Sequence, residues 1–515
     1  MRIERSKNAG RNLIFGILLK IYQVFIPFLL RTVMIYFMGV EYLGLNSLFT
    51  SILQVLNLTE LGVGSAMVFS MYRPIAEDDT KTICALMCLY KNYYRIIGLV
   101  IAVIGVVLTP FIPFLIEGDI PEGLNIYVLY LLNLGATVLS YWLFAYKNAL
   151  FQAHQRVDVI SKINLITNSV QYFIQLLVII FTQNYYLYII VMLVTQAATN
   201  IITGIAASSK YPDYQAQGKL PRESVKEINQ RIRDLFTSKI GGVVLNSADT
   251  VVISAFLGLS VLAVYQNYYF ILTSIIGFVA VVFQACTAGI GNSIIVESAE
   301  KNYSDLKTFT FLISWIAGFC TCCFLCLYQP FMEIWVGKDL MLNFTAVICF
   351  CVYYFIYEIN QLLNTYKDAA GIWHEDRFRP LITAVANLTL NLILVQFWGI
   401  YGVLLSTVLS MLFVGMPWLL HNLFTVLFER SRMSGYVMML FKYTFIVAIS
   451  CVFCYALSSV VNFTAFGNLV YRAVVCCVIP NLLYFVVYHK TVEFAQCVQL
   501  VDKMTKTRFR LSRFI

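Results

Sequence analysis

Two basic residues lie inside the first long apolar stretch of the chain, where a fixed charge is costly. Lys20 and Arg31 belong to the sequence KIYQVFIPFLLR, within an apolar segment at residues 12–38. At about 100° per residue, Lys20, Gln23 and Arg31 fall on one helix face. A charge near the bilayer centre costs about 3 kcal/mol on insertion scales. These side chains are therefore expected to face water or an anion, and the planar fork of arginine suits phosphate.

The next apolar segment, residues 43–69, carries a second polar face. Its polar residues recur at helical spacing: Asn46, Thr50, Gln54, Asn57 and Glu60. Because consecutive spans run in opposite directions, Glu60 should lie at the depth of Lys20, and Asn46 and Thr50 at the depth of Arg31. Two interpretations stay open. One is a Lys20–Glu60 ion pair inside the fold, and the other is a polar lining that binds a ligand together with Lys20, Gln23 and Arg31.

A third set of polar residues lies in the second half of the chain. Asp249, Asn387, Asn391 and Thr407 belong to three separate apolar segments but are expected at one depth. Oxygen ligands with a single negative charge suit a small hard cation such as sodium, and the aspartate alone could accept a proton. The alternative is that these groups hydrogen-bond to one another between packed helices.

The elements that position these residues follow from the composition. The chain has 515 residues, of which 60% are hydrophobic and 12% charged, with a mean hydropathy of +0.77. A soluble domain carries about 25% charged residues. We therefore predict an all-α polytopic membrane protein, because β-barrel spans would alternate apolar and polar residues. About fourteen transmembrane helices are expected, at 12–38, 43–69, 92–116, 124–147, 159–181, 184–207, 236–258, 263–290, 307–329, 342–366, 380–397, 400–426, 439–459 and 468–488.

Charge placement predicts the orientation of these spans. Nearly all of the 36 Lys and Arg residues fall on one side when the N-terminus is cytoplasmic. By the positive-inside rule both termini are then cytoplasmic. The net charge of +9 is explained by this topology, so we expect no nucleic-acid partner. The segment MRIERSKNAGR resembles the start of a signal peptide, but the following apolar run is long enough to remain as the first helix. The 14 cysteines and four histidines show no metal-ligand spacing, so no metal is expected.

Two pairs of segments suggest an internal duplication. FMGVEYLGLN at 37–46 aligns with FLGLSVLAVY at 256–265, and NLITNSVQ at 164–171 aligns with PLITAVAN at 380–387. Six spans in each copy give both copies the same orientation, which is a parallel repeat. The predicted domains are an N-terminal six-helix lobe, a cytoplasmic linker, a C-terminal six-helix lobe, two extra transmembrane helices and a basic cytoplasmic tail, at 1–208, 209–235, 236–428, 429–490 and 491–515.

Three stretches carry a resemblance to a known family. They are LTELGVGSAMVFSMYRPIAEDD, SKIGGVVLNSADTVVISAFLGLSVLAVYQNYYF and RFRPLITAVANLTLNLILVQFWGIYGVLLSTVLS. In their order they resemble the Wzx-type polysaccharide flippases, over about residues 10 to 430. The family belongs to a superfamily with the multidrug and toxin extruders and the lipid II flippase. The resemblance implies two six-helix lobes around a V-shaped cavity that opens alternately to each side, in a bacterial cytoplasmic membrane.

The resemblance also implies roles for the candidate residues. Lys20 and Arg31 are placed like the cavity arginines that meet the diphosphate in the lipid II flippase. Asp249, Asn387, Asn391 and Thr407 are placed like its sodium site, and no other cofactor is implied. The chain departs from that relative at Asn391, where the relative has a second carboxylate, so sodium binding should be weaker.

The function expected from the residues and the resemblance together is transport. The leading hypothesis is a flippase for undecaprenyl-diphosphate-linked oligosaccharide, in contact with membrane lipids and the polysaccharide polymerase machinery and driven by a sodium or proton gradient. The alternative is a drug or metabolite exporter of the same fold, working as an ion antiporter. Such cargo is usually cationic and calls for acidic residues where the first span offers Lys20 and Arg31. We do not expect an enzyme, since the predicted outer loops are short.

Overall fold

A computed structural model describes residues 5–504 apart from residues 61, 119, 155, 462 and 463. Side chains are described except at residues 5–20, 59, 157, 234, 237, 238, 246, 284, 285, 288 and 500–504. The chain forms two compact units, Met1–Gln266 and Asn267–Ile515. The division between them lies beyond the predicted linker at 209–235. No β-strand occurs in the described part of the chain, and the predicted all-α class is confirmed.

The α-helices, numbered in chain order, are α1 Arg5–Phe37, α2 Val40–Leu56, α3 Val63–Ala76, α4 Thr80–Leu108, α5 Ile126–Trp142, α6 Asn148–Ala153, α7 Val157–Thr182, α8 Tyr185–Lys210, α9 Arg222–Val296, α10 Ala299–Val336, α11 Phe344–Ala369, α12 Arg379–Trp398, α13 Ile400–Ser410, α14 Met416–Val426, α15 Met433–Ser458, α16 Ala465–Tyr488 and α17 Val492–Met504. A π-helical turn, Met411–Gly415, joins α13 to α14, and short 3₁₀ turns follow several of the other helices.

The described helices are those of a multi-pass membrane protein. Ten of them are long and apolar enough to span a membrane, or eleven if the bent pair Ile126–Trp142 and Ala145–Ala153 is one span. The first predicted span is represented by the shorter apolar stretch Ile21–Phe37. The second is divided near Gly62 into α2 and α3, each too short alone. The multi-pass class is therefore confirmed, while the number fourteen stays a prediction.

Glycines at repeat-related positions bend the chain near the start of each predicted lobe. Gly39, between α1 and α2, has a φ of 117°, and Gly258, within α9, has a φ of 85°. Glycine adopts such angles without the steric cost that a side chain would incur. The same repeat spacing, 219 residues, relates Glu41 to Ser260, and the Ser260 hydroxyl donates to the Glu41 carboxylate at 3.1 Å. The matching bends therefore support the predicted duplication.

A buried charge cluster fixes the connection between α11 and α12. Asp376 and Arg379 are 2% and 6% exposed, and the guanidinium donates to both carboxylate oxygens at 2.6 and 2.8 Å. Asn422 of α14 also donates to Asp376, at 3.0 Å, and Asn364 of α11 accepts from Arg379 at 2.7 Å. Lys367 lies 3.5 Å from Asp376. Each buried charge in the cluster has a partner, so replacing Asp376 or Arg379 alone would leave an unpaired buried charge and destabilise this connection.

Candidate functional site

Arg31 lies in α1 and contacts α9 within the first unit. Its Nη1 donates to the main-chain carbonyl of Gln266 at 3.1 Å. The side chain of Gln266 in turn donates to the Thr250 hydroxyl at 2.9 Å. The carbonyl is neutral, so this bond orients the guanidinium without cancelling its positive charge. The sequence predicts Asn46 and Thr50 as neighbours of Arg31 and contains no signal for Gln266.

The rest of the predicted cationic face is only partly described. Lys20 belongs to α1, but its side chain lies outside the described residues. Gln23 is exposed at the surface of α1. Tyr22, next to it, shares a 2.5 Å hydrogen bond with Ser169 of α7, which fixes the rotation of α1 against that helix.

The polar face of the second segment is present on α2. Gln54 and Thr50 are exposed and Asn46 is half-buried. The opposite face is apolar and closed, with Leu45 and Leu48 fully buried. A helix with one closed apolar face and one open polar face can line an aqueous path. The substrate-binding role of this face stays a prediction.

Glu60 ends this segment in a short 3₁₀ turn, Asn57–Glu60, between α2 and α3. Tyr94 of α4 donates to one carboxylate oxygen, and Tyr141 of α5 donates to the other at 2.7 Å. Tyr141 also contacts the Asn57 amide oxygen at 3.1 Å, and Tyr90 donates to Tyr94 at 2.6 Å. Two hydroxyl donors therefore hold this carboxylate in place. The Lys20–Glu60 ion pair involves a side chain that is not described and stays a prediction.

Three of the four predicted ion ligands meet in the second unit. Asn387 and Asn391 of α12 are fully buried, and Thr407 of α13 is 6% exposed. Asn387 donates to Thr407 at 3.0 Å, and Asn391 donates to Asn387 at 3.3 Å. Ser406, which the sequence argument missed, donates to the oxygen of Asn391. The amides and hydroxyls thus bond to one another, as in the alternative interpretation of these residues.

The fourth predicted ligand, Asp249, is half-buried on α9 and belongs to the first unit. In the described part of the chain, no group of three or more His, Cys, Asp or Glu side chains is arranged to hold a metal ion. The predicted sodium or proton role of Asp249 with Asn387, Asn391 and Thr407 therefore stays a prediction.

Repeat-related positions in the two units carry the same kind of amide pair. Gln171 and Gln175 of α7 are hydrogen-bonded to each other at 3.3 Å, and Asn387 and Asn391 of α12 at 3.3 Å. In both pairs the second amide is at least 99% buried. Gln175 also donates to the carbonyl of Tyr188 on α8, at 3.3 Å. The amide pairs thus join each helix to the next one along the chain.

One buried carboxyl group is not among the site residues predicted from the sequence. Glu358 lies near the middle of α11 and is 1% exposed. Neither of its carboxyl oxygens has a hydrogen-bond partner among the described residues. The sequence does contain a signal, because Glu358 is the only charged residue between 340 and 366. Such an isolated intramembrane carboxyl group is a candidate functional residue.

Solved structures share this fold at low sequence identity. The lipid II flippase MurJ in an inward closed conformation has a TM-score of 0.68 and 14% identity, covering 93% of this chain and 100% of that one. An inward-facing multidrug resistance MATE transporter has a TM-score of 0.60 and 13% identity, with coverages of 79% and 94%. A MOP superfamily transporter from Pyrococcus furiosus, noted for the reverse polarity of its binding pocket, has a TM-score of 0.51, 14% identity and coverages of 81% and 94%.

These structural matches establish the fold alone, which the chain shares with the MurJ and MATE structures. No curated protein is detectably similar to the chain in sequence. A family model described as polysaccharide biosynthesis protein matches residues 9–287, which is more than half of the chain. The matched region includes Arg31, the polar face of α2 and Asp249. The chain belongs to the polysaccharide biosynthesis protein family.

Proposed function

We propose that this protein is a flippase that moves undecaprenyl-diphosphate-linked oligosaccharide from the cytoplasmic to the outer leaflet by alternating access. It works in the bacterial cytoplasmic membrane with both termini in the cytoplasm. The observation that carries the proposal is Arg31, a basic residue within the first apolar helix whose guanidinium donates to the Gln266 carbonyl of α9. Membership of the polysaccharide biosynthesis family and the MurJ-like fold support it.

The cargo explains why a charge belongs in this helix. A diphosphate carries at least two negative charges, and its glycan is strongly hydrated, so neither crosses about 30 Å of hydrocarbon unaided. A guanidinium supplies charge-assisted hydrogen bonds to phosphate in place of water. We assign the diphosphate to Arg31 with Lys20 and Gln23, and the hydrophilic part of the cargo to Asn46, Gln54, Asn57 and Glu60.

An ion gradient returns the empty carrier in this proposal. A coupling ion can bias alternating access only if it binds the two states with different affinities. Asp249 with Asn387, Asn391 and Thr407 is the set proposed for sodium or a proton. Asp249→Asn should remove the dependence on the ion that this set binds, while Asn387→Ala and Thr407→Ala should weaken it less, since each removes a neutral group.

The experiment is a chromosomal deletion followed by analysis of cell-surface and lipid-linked glycan. We expect surface polymer to be lost and lipid-linked units to accumulate on the cytoplasmic leaflet. A polymerase defect would instead leave single units on the outer leaflet. Unchanged surface glycan, with altered export of a cationic drug, would contradict the flippase and favour the exporter.

The proposed topology has its own test. Reporters fused after Lys219 and at the C-terminus should score cytoplasmic, and one inserted near Asp119 should score external. An external C-terminus would contradict the even number of spans on which the depth assignments depend.

A further inference from the structure

Glu358 is as buried as a core residue, but its side chain is an ionisable carboxyl group. It lies near the midpoint of α11, Phe344–Ala369, a helix long and apolar enough to span the membrane. Its side chain is 1% exposed, and among the described residues both carboxyl oxygens are without a hydrogen-bond partner. Buried polar groups almost always find partners, so a native exception calls for an explanation.

The groups around Glu358 within its unit are neutral. On α11 itself, Tyr354 and Tyr357 lie close enough to interact electrostatically with it, and on α10 Cys320 does. Tyr354, one helical turn away, has the Cys320 thiol as the hydrogen-bonding neighbour of its hydroxyl. The phenols and the thiol are uncharged at neutral pH.

Besides α10, the helices that contact α11 bring no charged residue to this site. They are α13, the π-helical turn, α14 and the end of α9, where Tyr268 stacks on Phe350, and residues 267–296 and 400–426 contain no Asp, Glu, Lys or Arg. Their titratable residues are Tyr268, Tyr269, Cys286, Tyr401 and His421, of which His421 is exposed. The nearest cation along α11, Lys367, is nine residues away and is paired with Asp368 and Asp376.

This environment determines the protonation state of the group. Among the described residues, an ionised carboxylate here would have neither a counter-charge nor a hydrogen-bond donor, which is strongly unfavourable in a medium of low polarity. In this conformation Glu358 therefore carries its proton. A conformation that opens the site to water, or brings a donor to it, favours release of that proton.

We propose that Glu358, in place of Asp249, is the proton carrier that couples this transporter to a proton gradient, so that sodium is left to the set of Asp249, Asn387, Asn391 and Thr407; this deepens and rests on the proposed flippase function. A proton from the outside binds one carboxylate oxygen in the outward-open state and leaves to the cytoplasm in the inward-open state. No other bond changes. The two states differ in their affinity for the proton, and this difference links proton entry to export of the cargo.

The first test needs no cargo and is therefore independent of the flippase proposal. Infrared spectra of the full-length protein in lipid nanodiscs should show the carbonyl stretch of a protonated carboxyl group at neutral pH. This band should be lost in Glu358→Gln and retained in Glu333→Gln. Glu333 is the matched control, a glutamate on α10 whose side chain is 39% exposed and lies 3.4 Å from Lys338. A wild-type spectrum without the band, or an unchanged band in Glu358→Gln, would overturn the proposal.

The second test measures transport in vesicles loaded with lipid-linked oligosaccharide from the producing strain. With an inward proton gradient we expect wild type and Glu333→Gln to accelerate, and Glu358→Gln to run at the same rate with and without the gradient. Acceleration of Glu358→Gln equal to that of wild type would overturn the proton-carrier role. If no variant moves this lipid while the infrared band behaves as expected, the flippase assignment fails and the proton site stands. If Glu358→Gln does not fold, Glu358→Asp must shift the infrared band, and an unshifted band overturns the proposal.

Discussion

Two glutamates, one in each compact unit, show how differently the same side chain is used in this protein. Glu60 is half-buried and accepts hydrogen bonds from Tyr94 and Tyr141. Glu358 is 1% exposed and has no such partner among the described residues. The first is held as a fixed acceptor, and the second is left free to change its protonation state. The comparison suggests that Arg31, in the first unit, recognises anionic cargo and that Glu358, in the second unit, carries the coupling proton.

The largest expected effect is the difference in stability between Glu60→Leu and Glu358→Leu. Glu60→Leu leaves two tyrosine hydroxyls without their acceptor and should lower the free energy of unfolding by about 3 kcal/mol. Glu358→Leu removes a polar group without partners and should change stability by less than about 1 kcal/mol, or increase it. Thermal unfolding of the purified variants measures both. Equal losses would break the comparison, because Glu358 would then have structural partners of its own.

A smaller effect is expected from single hydroxyl deletions. Tyr141→Phe removes one donor to the Glu60 carboxylate and should cost about 1.5 kcal/mol, the range for hydrogen bonds to a charged group. Tyr354→Phe removes a hydroxyl whose hydrogen-bonding neighbour is the Cys320 thiol, a weak partner, and should cost about 0.5 kcal/mol or less. The two melting temperatures, each against wild type, give the contrast. A loss in Tyr354→Phe as large as in Tyr141→Phe would contradict the assignment.

The smallest expected effect concerns the two amide pairs, one of which lies in each unit. Gln171→Ala and Asn387→Ala should each cost about 1 kcal/mol by removing a side-chain hydrogen bond, with Asn387→Ala the more costly because its site is fully buried. Only Asn387→Ala is also expected to weaken gradient-driven transport. A coupling defect of the same size in Gln171→Ala would show that the pairs do not differ in function.

Much of the fold was predictable from the sequence because hydropathy is a local property. Long apolar runs predict membrane helices wherever they pack, and the 219-residue repeat aligned Gly39 with Gly258 before either bend was seen. Two features were not predictable in the same way. The second span is divided near Gly62, and α9 begins at Arg222 and continues to the bend at Gly258. Both depend on local backbone angles that an apolar pattern does not specify.

The candidate site was less predictable because its contacts are distant in sequence. Arg31 bonds to a carbonyl 235 residues away, and Glu60 accepts from a tyrosine 81 residues away. Such pairs leave no periodic signal. Glu358 was visible as a lone charge in its span, but its lack of partners depends on which faces of α10, α13 and α14 meet it.

The most direct test of the flippase is reconstitution of Arg31→Ala into vesicles that carry lipid-linked oligosaccharide in one leaflet. Arg472→Ala is the matched control, since Arg472 of α16 also donates to a main-chain carbonyl, that of Cys326, at 3.2 Å. We predict that Arg31→Ala abolishes translocation, that Arg31→Lys restores part of it because lysine lacks the bidentate fork, and that Arg472→Ala retains it. Translocation by Arg31→Ala at the wild-type rate would contradict the account.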